Sequence, residues 1–195
     1  MTNLWASPRL IYCALERGEH DSLLAELDSD PEGFMNVSSE LPSPQGKKDV
    51  ADWYEHLEKQ MLACAVCLPP PPVTNGAGSA PKPIPIGCIS LKGLAPRMLQ
   101  HRMSDLTIRI LRQYRGQGYG PEAMEWALNW GFDFAGLHRI QLMVYAYNAD
   151  AARLYEKMGF VREGAKRECV FVKGRFWDVL QYSMLEHEWR ARQKK

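Results

Sequence analysis

The stretch Arg112-Gln-Tyr-Arg-Gly-Gln-Gly-Tyr-Gly-Pro-Glu-Ala123 decides how this 195-residue chain is read. Just before it, Asp105 to Leu111 alternates as a strand does. Just after it, Ala123, Ala127, Trp130 and Phe134 fall on one face of a helix from Pro121 to about Phe134. Gly116, Gly118 and Gly120 thus form a strand-to-helix turn whose backbone N–H groups converge without interference from Cβ atoms. The positive end of the helix dipole adds to them, and Pro121 suits the first helical turn. Such a turn suits a phosphate or pyrophosphate. The spacing is GxGxG, not the GxGxxG of a dinucleotide fold, and the turn ends in Gly-Pro, where a Walker loop needs Gly-Lys-Ser/Thr. A turn that merely joins strand to helix has no use for this cluster.

Outward from the turn, Ile140, Leu142, Val144 and Ala146 alternate as the next strand, and Asn148 to Lys157 is a helix stopped by Gly159. Glu168–Val172 and Phe176–Met184 flank Lys173-Gly174-Arg175, a hairpin signal. Upstream, Leu10–Leu15 reads as a strand and His20–Leu27 as a helix broken by Ser29-Asp30-Pro31. Gly33–Gly46 reads as a loop, Lys47–Gln60 as an amphipathic helix, and Met61–Leu68 and Pro85–Leu91 as strands. Between those strands, residues 69–83 are rich in Pro, Gly, Ala and Ser, the composition of an exposed, flexible insertion. The order is strand–helix–helix–strand–strand–strand–helix–strand–helix–strand–strand, a mixed α/β (α+β) domain covering residues 1–195.

The formal charge of +1 gives no global case for nucleic-acid binding, and no apolar run is long enough to span a bilayer. Charge is nonetheless uneven. Glu19, Asp21, Glu26, Asp28, Asp30, Glu32 and Glu40 fall between Gly18 and Gly46 with no Lys or Arg, while the C-terminal part is basic. Five cysteines at irregular spacings do not form a disulfide framework, so a reducing, cytoplasmic compartment is expected. Cys64 and Cys67 form an isolated CxxC on a strand, where positions three apart face opposite sides. They read as buried structural thiols, and no metal is implied. The histidines offer no partnered motif.

Within these residues, Gln113-Tyr-Arg-Gly-Gln-Gly118 resembles the Q/R-x-x-G-x-G/A acyl-CoA motif of the GNAT superfamily of N-acetyltransferases. Asn148-Ala-Asp-Ala-Ala-Arg-Leu-Tyr-Glu-Lys-Met-Gly-Phe160 resembles its second motif. Glu163-Gly164, Gly174, Asp178 and Ser183-Met-Leu-Glu-His-Glu-Trp189 look like the RimJ/RimL-type branch. The resemblance covers Asp105 to Trp189; earlier it rests on element order and on Leu27-Asp-Ser-Asp-Pro31. It implies a mostly antiparallel, twisted sheet of about seven strands, flanked by about four helices, with a V-shaped splay between the two central strands. It also implies acetyl-CoA as co-substrate and acetyl transfer to a primary amine: a protein or peptide N-terminus, or a small amine such as a polyamine.

By that resemblance, backbone N–H groups of Arg115, Gly116, Gln117, Gly118, Tyr119 and Gly120 hold the pyrophosphate, and the Arg115 side chain adds a phosphate contact. Ile108 and Ile110 lend backbone groups to pantetheine, and Asn148 bonds the pantetheine or caps its own helix. Tyr155 is the general acid toward the departing sulfur. Asp105 and Glu168 are the two candidates for the base that deprotonates the amine. The acidic block suits a cationic acceptor and reads equally as a solvated acidic loop. A monomer or homodimer is expected. The competing reading is a non-catalytic GNAT-fold module that binds CoA or an amine.

Overall fold

The computed structural model describes residues 3–71 and 81–194. In chain order the elements are β1 (Ile11–Ala14), α1 (Asp21–Ser29), α2 (Pro31–Val37), α3 (Lys47–Glu58), β2 (Leu62–Leu68), β3 (Ile84–Leu91) and β4 (Met103–Ile110). Then follow α4 (Tyr119–Asn129), β5 (Arg139–Tyr145), α5 (Ala149–Lys157), β6 (Val161–Val172), β7 (Arg175–Leu185) and α6 (Glu186–Gln193). The expected insertion at 69–83 lies largely outside the described residues; 69–71 and 81–83 are neither helix nor strand.

The seven strands form one sheet in the order β1-β2-β3-β4-β5-β7-β6. Neighbours are antiparallel except β4 and β5, which run parallel and pair only from Met103↔Arg139 to Asp105↔Gln141. Beyond Asp105 the two strands part, although β4 stays paired to β3 as far as Ile110 and β5 to β7 as far as Tyr145. The splay implied by the resemblance is therefore a gap with a fixed apex.

Each face of the sheet buries its own cluster. Met124, Ala127 and Leu128 of α4, Trp189 of α6 and Met158 pack on one side with Val66, Ile89 and Ile140. Leu23, Leu24 and Leu27 of α1 and Tyr54 and Leu57 of α3 pack on the other with Ala65 and Leu111. Cys64 belongs to the first cluster and Cys67 to the second, the opposite-face arrangement expected of the CxxC. Burial pushes the Cys64 thiol up to about 12. Arg109 and Asp28 form a buried ion pair at 2.6 Å that ties α1 to β4, with the guanidinium over the Trp53 ring. Removing one partner of such a pair costs about 3–5 kcal/mol, because the other charge stays buried alone.

The structure departs from the sequence expectation in four places. Part of the expected loop Gly33–Gly46 is helix α2, begun by Pro31, whose fixed φ suits a first helical position. Strand β6 begins at Val161, well before Glu168; it is the outer strand, largely exposed, so its side chains show no buried alternation. Helix α4 runs on into a π-helical turn, Trp130–Phe134, closed by Ala135 N–H to Trp130 C=O. That extra residue per turn rotates the register, so Phe134 is exposed instead of joining Ala123 and Ala127 in the core. Helices α2 and α6 also raise the expected four α-helices to six among the described residues.

Candidate active site

The cleft between β4 and β5 has a volume of about 1060 Å³ and is the larger of two hollows that meet there. Strand parity decides which backbone groups face it. Lys92 N–H bonds Asp105 C=O and Leu111 N–H bonds Ile86 C=O, so Asp105, Thr107, Arg109 and Leu111 turn their backbone toward β3. Leu106, Ile108 and Ile110 turn theirs toward the cleft. Ile108 and Ile110, expected to serve pantetheine, thus turn backbone groups to the cleft, and Leu106 joins them. The Ile110 carbonyl is already taken by Arg115 Nε at 2.9 Å.

At the mouth of the cleft the glycine turn departs from ordinary backbone. Gly116 (φ +74°) and Gly118 (φ +83°) are left-handed, and Gly118 is the residue that precedes α4. A Cβ at Gly116 or Gly120 would meet no neighbouring atom, so this side of the turn is open. Arg115, Gly116, Gly118, Gly120 and Pro121 line the cleft; Gln117 and Tyr119 lie between them without lining it. Arg9 braces the turn from outside. It donates to the Gln117 carbonyl at 3.0 Å, pairs with Glu122 at 2.7 Å and lies over the Tyr119 ring.

Helix α5 supplies the opposite wall through Asn148, Asp150, Ala151, Leu154 and Tyr155. Asn148 Oδ1 accepts the Ala151 N–H at 3.2 Å, so the residue caps its helix while also facing the cleft. The Tyr155 ring lies about 6 Å from Phe160 and Tyr182, and its hydroxyl bonds to no other described residue. Burial pushes this phenol up to about 12, so it stays protonated at neutral pH.

The two candidate bases are placed differently. Asp105 lines the cleft at its apex, where Gln141 donates to it at 2.7 Å and Lys92 lies 3.7 Å away. Glu168 is exposed and does not line the cleft. Its φ of +49° falls inside a bulge of β6 between Lys166 and Val170, and Lys166, Cys169 and Val170 line the cleft in its stead.

The acidic block is also redistributed. Asp28 is spent on Arg109, Asp30 on Arg115 and Glu26 on Gln113, while Glu19 pairs with Lys82 at the surface. Glu32 is the member that lines the cleft, from α2, beside Asn36, Val37 and Ser39. Sequence reasoning missed this wall because Asp30-Pro31 was read as a break, and the same pair also starts a helix. The smaller hollow, about 360 Å³, adjoins it between Glu32, Tyr147, Asp150, Lys173 and Trp177. Among the described residues, no group of three or more His, Cys, Asp or Glu could hold a metal ion.

The chain is similar in sequence and in fold to known proteins. A spermidine N(1)-acetyltransferase of Vibrio cholerae is 35% identical over 92 residues, 47% of this chain and 53% of that protein. The putative ribosomal N-acetyltransferase YdaF of Bacillus subtilis is 27% identical over 105 residues, 54% of this chain and 56% of that protein. These alignments span about half the length of the curated relatives. Among solved structures, the Vibrio cholerae spermidine N-acetyltransferase in complex with CoA and spermine superposes with a TM-score of 0.74 at 24% identity, covering 94% of this chain and 99% of that one. A GNAT-family acetyltransferase from Bacillus anthracis gives 0.72 at 21% identity, covering 93% and 98%. Residues 9–161 match the family profile described as an acetyltransferase (GNAT) domain, and the chain belongs to that family.

Proposed function

We propose that the protein transfers an acetyl group from acetyl-CoA to a primary amine by direct attack on the thioester. The observation that carries this reading is the parting of β4 and β5 beyond Asp105, with an open glycine turn at its mouth and Tyr155 on its wall. Backbone N–H groups of Gly116 to Gly120 would hold the pyrophosphate, the expected Arg115 N–H being bonded instead to the Arg112 carbonyl at 3.2 Å, and the cleft-facing groups of Leu106, Ile108 and Ile110 the pantetheine amides. Asn148 borders the same arm. The amine nitrogen bonds to the carbonyl carbon, the C–S bond breaks, and Tyr155 donates a hydrogen bond to the departing sulfur. The proton lost by the amine goes to Asp105, the carboxylate at the apex, directly or through water. Glu168, outside the cleft, does not serve as base.

The acceptor proposed is a cationic amine, with spermidine the first to try. Glu32 and Asp105 put negative charge on the cleft, and Tyr147 and Trp177 line the adjoining hollow. The alignment with spermidine N(1)-acetyltransferases points the same way. The tail motifs around Gly174 and Ser183 to Trp189 support placement in the RimJ/RimL-type branch. All five cysteines are free thiols, which supports a reducing, cytoplasmic setting.

The test incubates the protein with acetyl-CoA and spermidine, spermine or a short peptide with a free N-terminus. Acetylated product is read by mass, because exposed Cys169 would react with a thiol reagent. Acetyl-CoA should also raise the melting temperature. A melting shift without product from any amine would favour the non-catalytic binding module; no shift and no product would end the acetyltransferase reading.

A further inference from the structure

We propose that Arg115 is a positioning residue, not a phosphate ligand: its side chain holds helix α2, the acceptor wall, against the pantetheine edge of β4. This rests on the reading of the cleft as an acetyl-CoA and amine site. Arg115 leaves the glycine turn as part of the phosphate loop, yet its guanidinium points elsewhere. Nε donates to the Ile110 carbonyl at 2.9 Å, and a terminal nitrogen pairs with Asp30, the residue before α2. Asp30 is nearly buried, with Oδ1 making no hydrogen bond among the described residues. Burial works to raise its carboxyl, but the Arg115 guanidinium and the N–H groups of the first turn of α2 hold it below the ordinary range.

The contact is also tight. A Cβ on Gly33 would lie 2.6 Å from Asp30 Oδ2 and 2.7 Å from an Arg115 terminal nitrogen, so the first turn of α2 rests directly on the ion pair. Gly33 is buried there. From the same helix Glu32, Asn36 and Val37 face the cleft. One side chain therefore spans from a carbonyl on the donor side to the helix that borders the acceptor. Turning the guanidinium onto a phosphate would abandon Asp30, leaving a buried carboxylate unpaired. The planar, forked guanidinium reaches two acceptors at once; a lysine ammonium at the same position keeps the charge and loses the span.

The experiment uses Arg115→Lys, Asp30→Asn and the double variant, each first checked for folding by circular dichroism. Calorimetry measures the Kd for CoA, hydrogen exchange follows the α2 amides, and steady-state kinetics with spermidine separates KM from kcat. We expect CoA Kd within threefold of the parent in all three. Exchange of α2 should quicken about tenfold, and the KM for spermidine should rise about five- to tenfold, a charge-assisted bond lost on the acceptor side. The double variant should be no worse than either single, since all three break one contact. CoA affinity falling tenfold or more in Arg115→Lys, with α2 exchange unchanged, would overturn the proposal in favour of a phosphate contact. If the parent protein does not acetylate spermidine, the substrate reading fails, and the CoA and exchange measurements still decide the role of Arg115.

Discussion

Tyr155→Phe removes one oxygen from the cleft, and its consequences follow from the surroundings of that oxygen. The hydroxyl has no hydrogen-bond partner among the described residues, so its loss orphans no group. The ring stays packed near Phe160 and Tyr182. Stability should change by less than about 0.5 kcal/mol, and the Kd for acetyl-CoA by less than about threefold. The catalytic cost is set by the phenol pKa of about 12, against about 8.5 for a free thiol. Full proton transfer from phenol to thiolate is then uphill. In the proposed mechanism Tyr155 is then a hydrogen-bond donor to sulfur as charge builds on it, more than a completed acid. A charge-assisted hydrogen bond is worth about 1.5–3 kcal/mol, which predicts a loss of about 10- to 150-fold in kcat. Single-turnover rates at saturating acetyl-CoA and amine measure it. Unchanged turnover would remove Tyr155 from the chemistry, and a matching collapse of acetyl-CoA affinity would make it a binding residue.

Gly118→Glu places a side chain at φ +83°, where its Cβ lies 3.1 Å from the Arg9 guanidinium. Left-handed strain costs about 1–2 kcal/mol, and the added carboxylate repels pyrophosphate, so calorimetry should find CoA affinity reduced by more than about 100-fold. Asp105→Asn should lower kcat with spermidine by about 100-fold if the amine loses its proton there, while Glu168→Gln should stay within about twofold; the reverse pattern would exchange the two. The carboxyls of Asp30 and Glu122 lie below their ordinary range in the folded protein: burial opposes this, and Arg115 at the first and Ser7 and Arg9 at the second outweigh it. Depressed carboxyl pKa values contribute stability above the unfolded value and lose it as pH falls through the folded one. Melting temperature should accordingly drop below about pH 4, and more gently in Asp30→Asn.

Some of the molecule is legible in the sequence alone because the signals are local. The strand–glycine turn–helix of Asp105 to Phe134 is written in period-two alternation, three glycines and period-3.6 packing, and Gly116 and Gly118 carry the left-handed φ values the turn needs. The hairpin around Gly174, the cap by Asn148 and the opposite faces of Cys64 and Cys67 are likewise properties of a few adjacent residues. Where two local signals coincided, the reading slipped. Asp30-Pro31 both ends α1 and begins α2, and nothing in residues 130–134 announces the π-turn that exposes Phe134.

What the sequence by itself determined is the left-handed glycine turn and the order of the seven strands, because backbone conformation and hydrophobic period are set within a turn or two. Only the tertiary structure decided what each charge does. Asp28 and Asp30 meet Arg109 and Arg115 more than eighty residues away, and those contacts turn an acidic block into struts and leave Glu32 on the cleft. The parting of β4 from β5 is of the same kind. It exists because β3 and β7 each hold one strand after the pairing between them has stopped at Asp105, a balance among four strands that no single stretch of sequence contains.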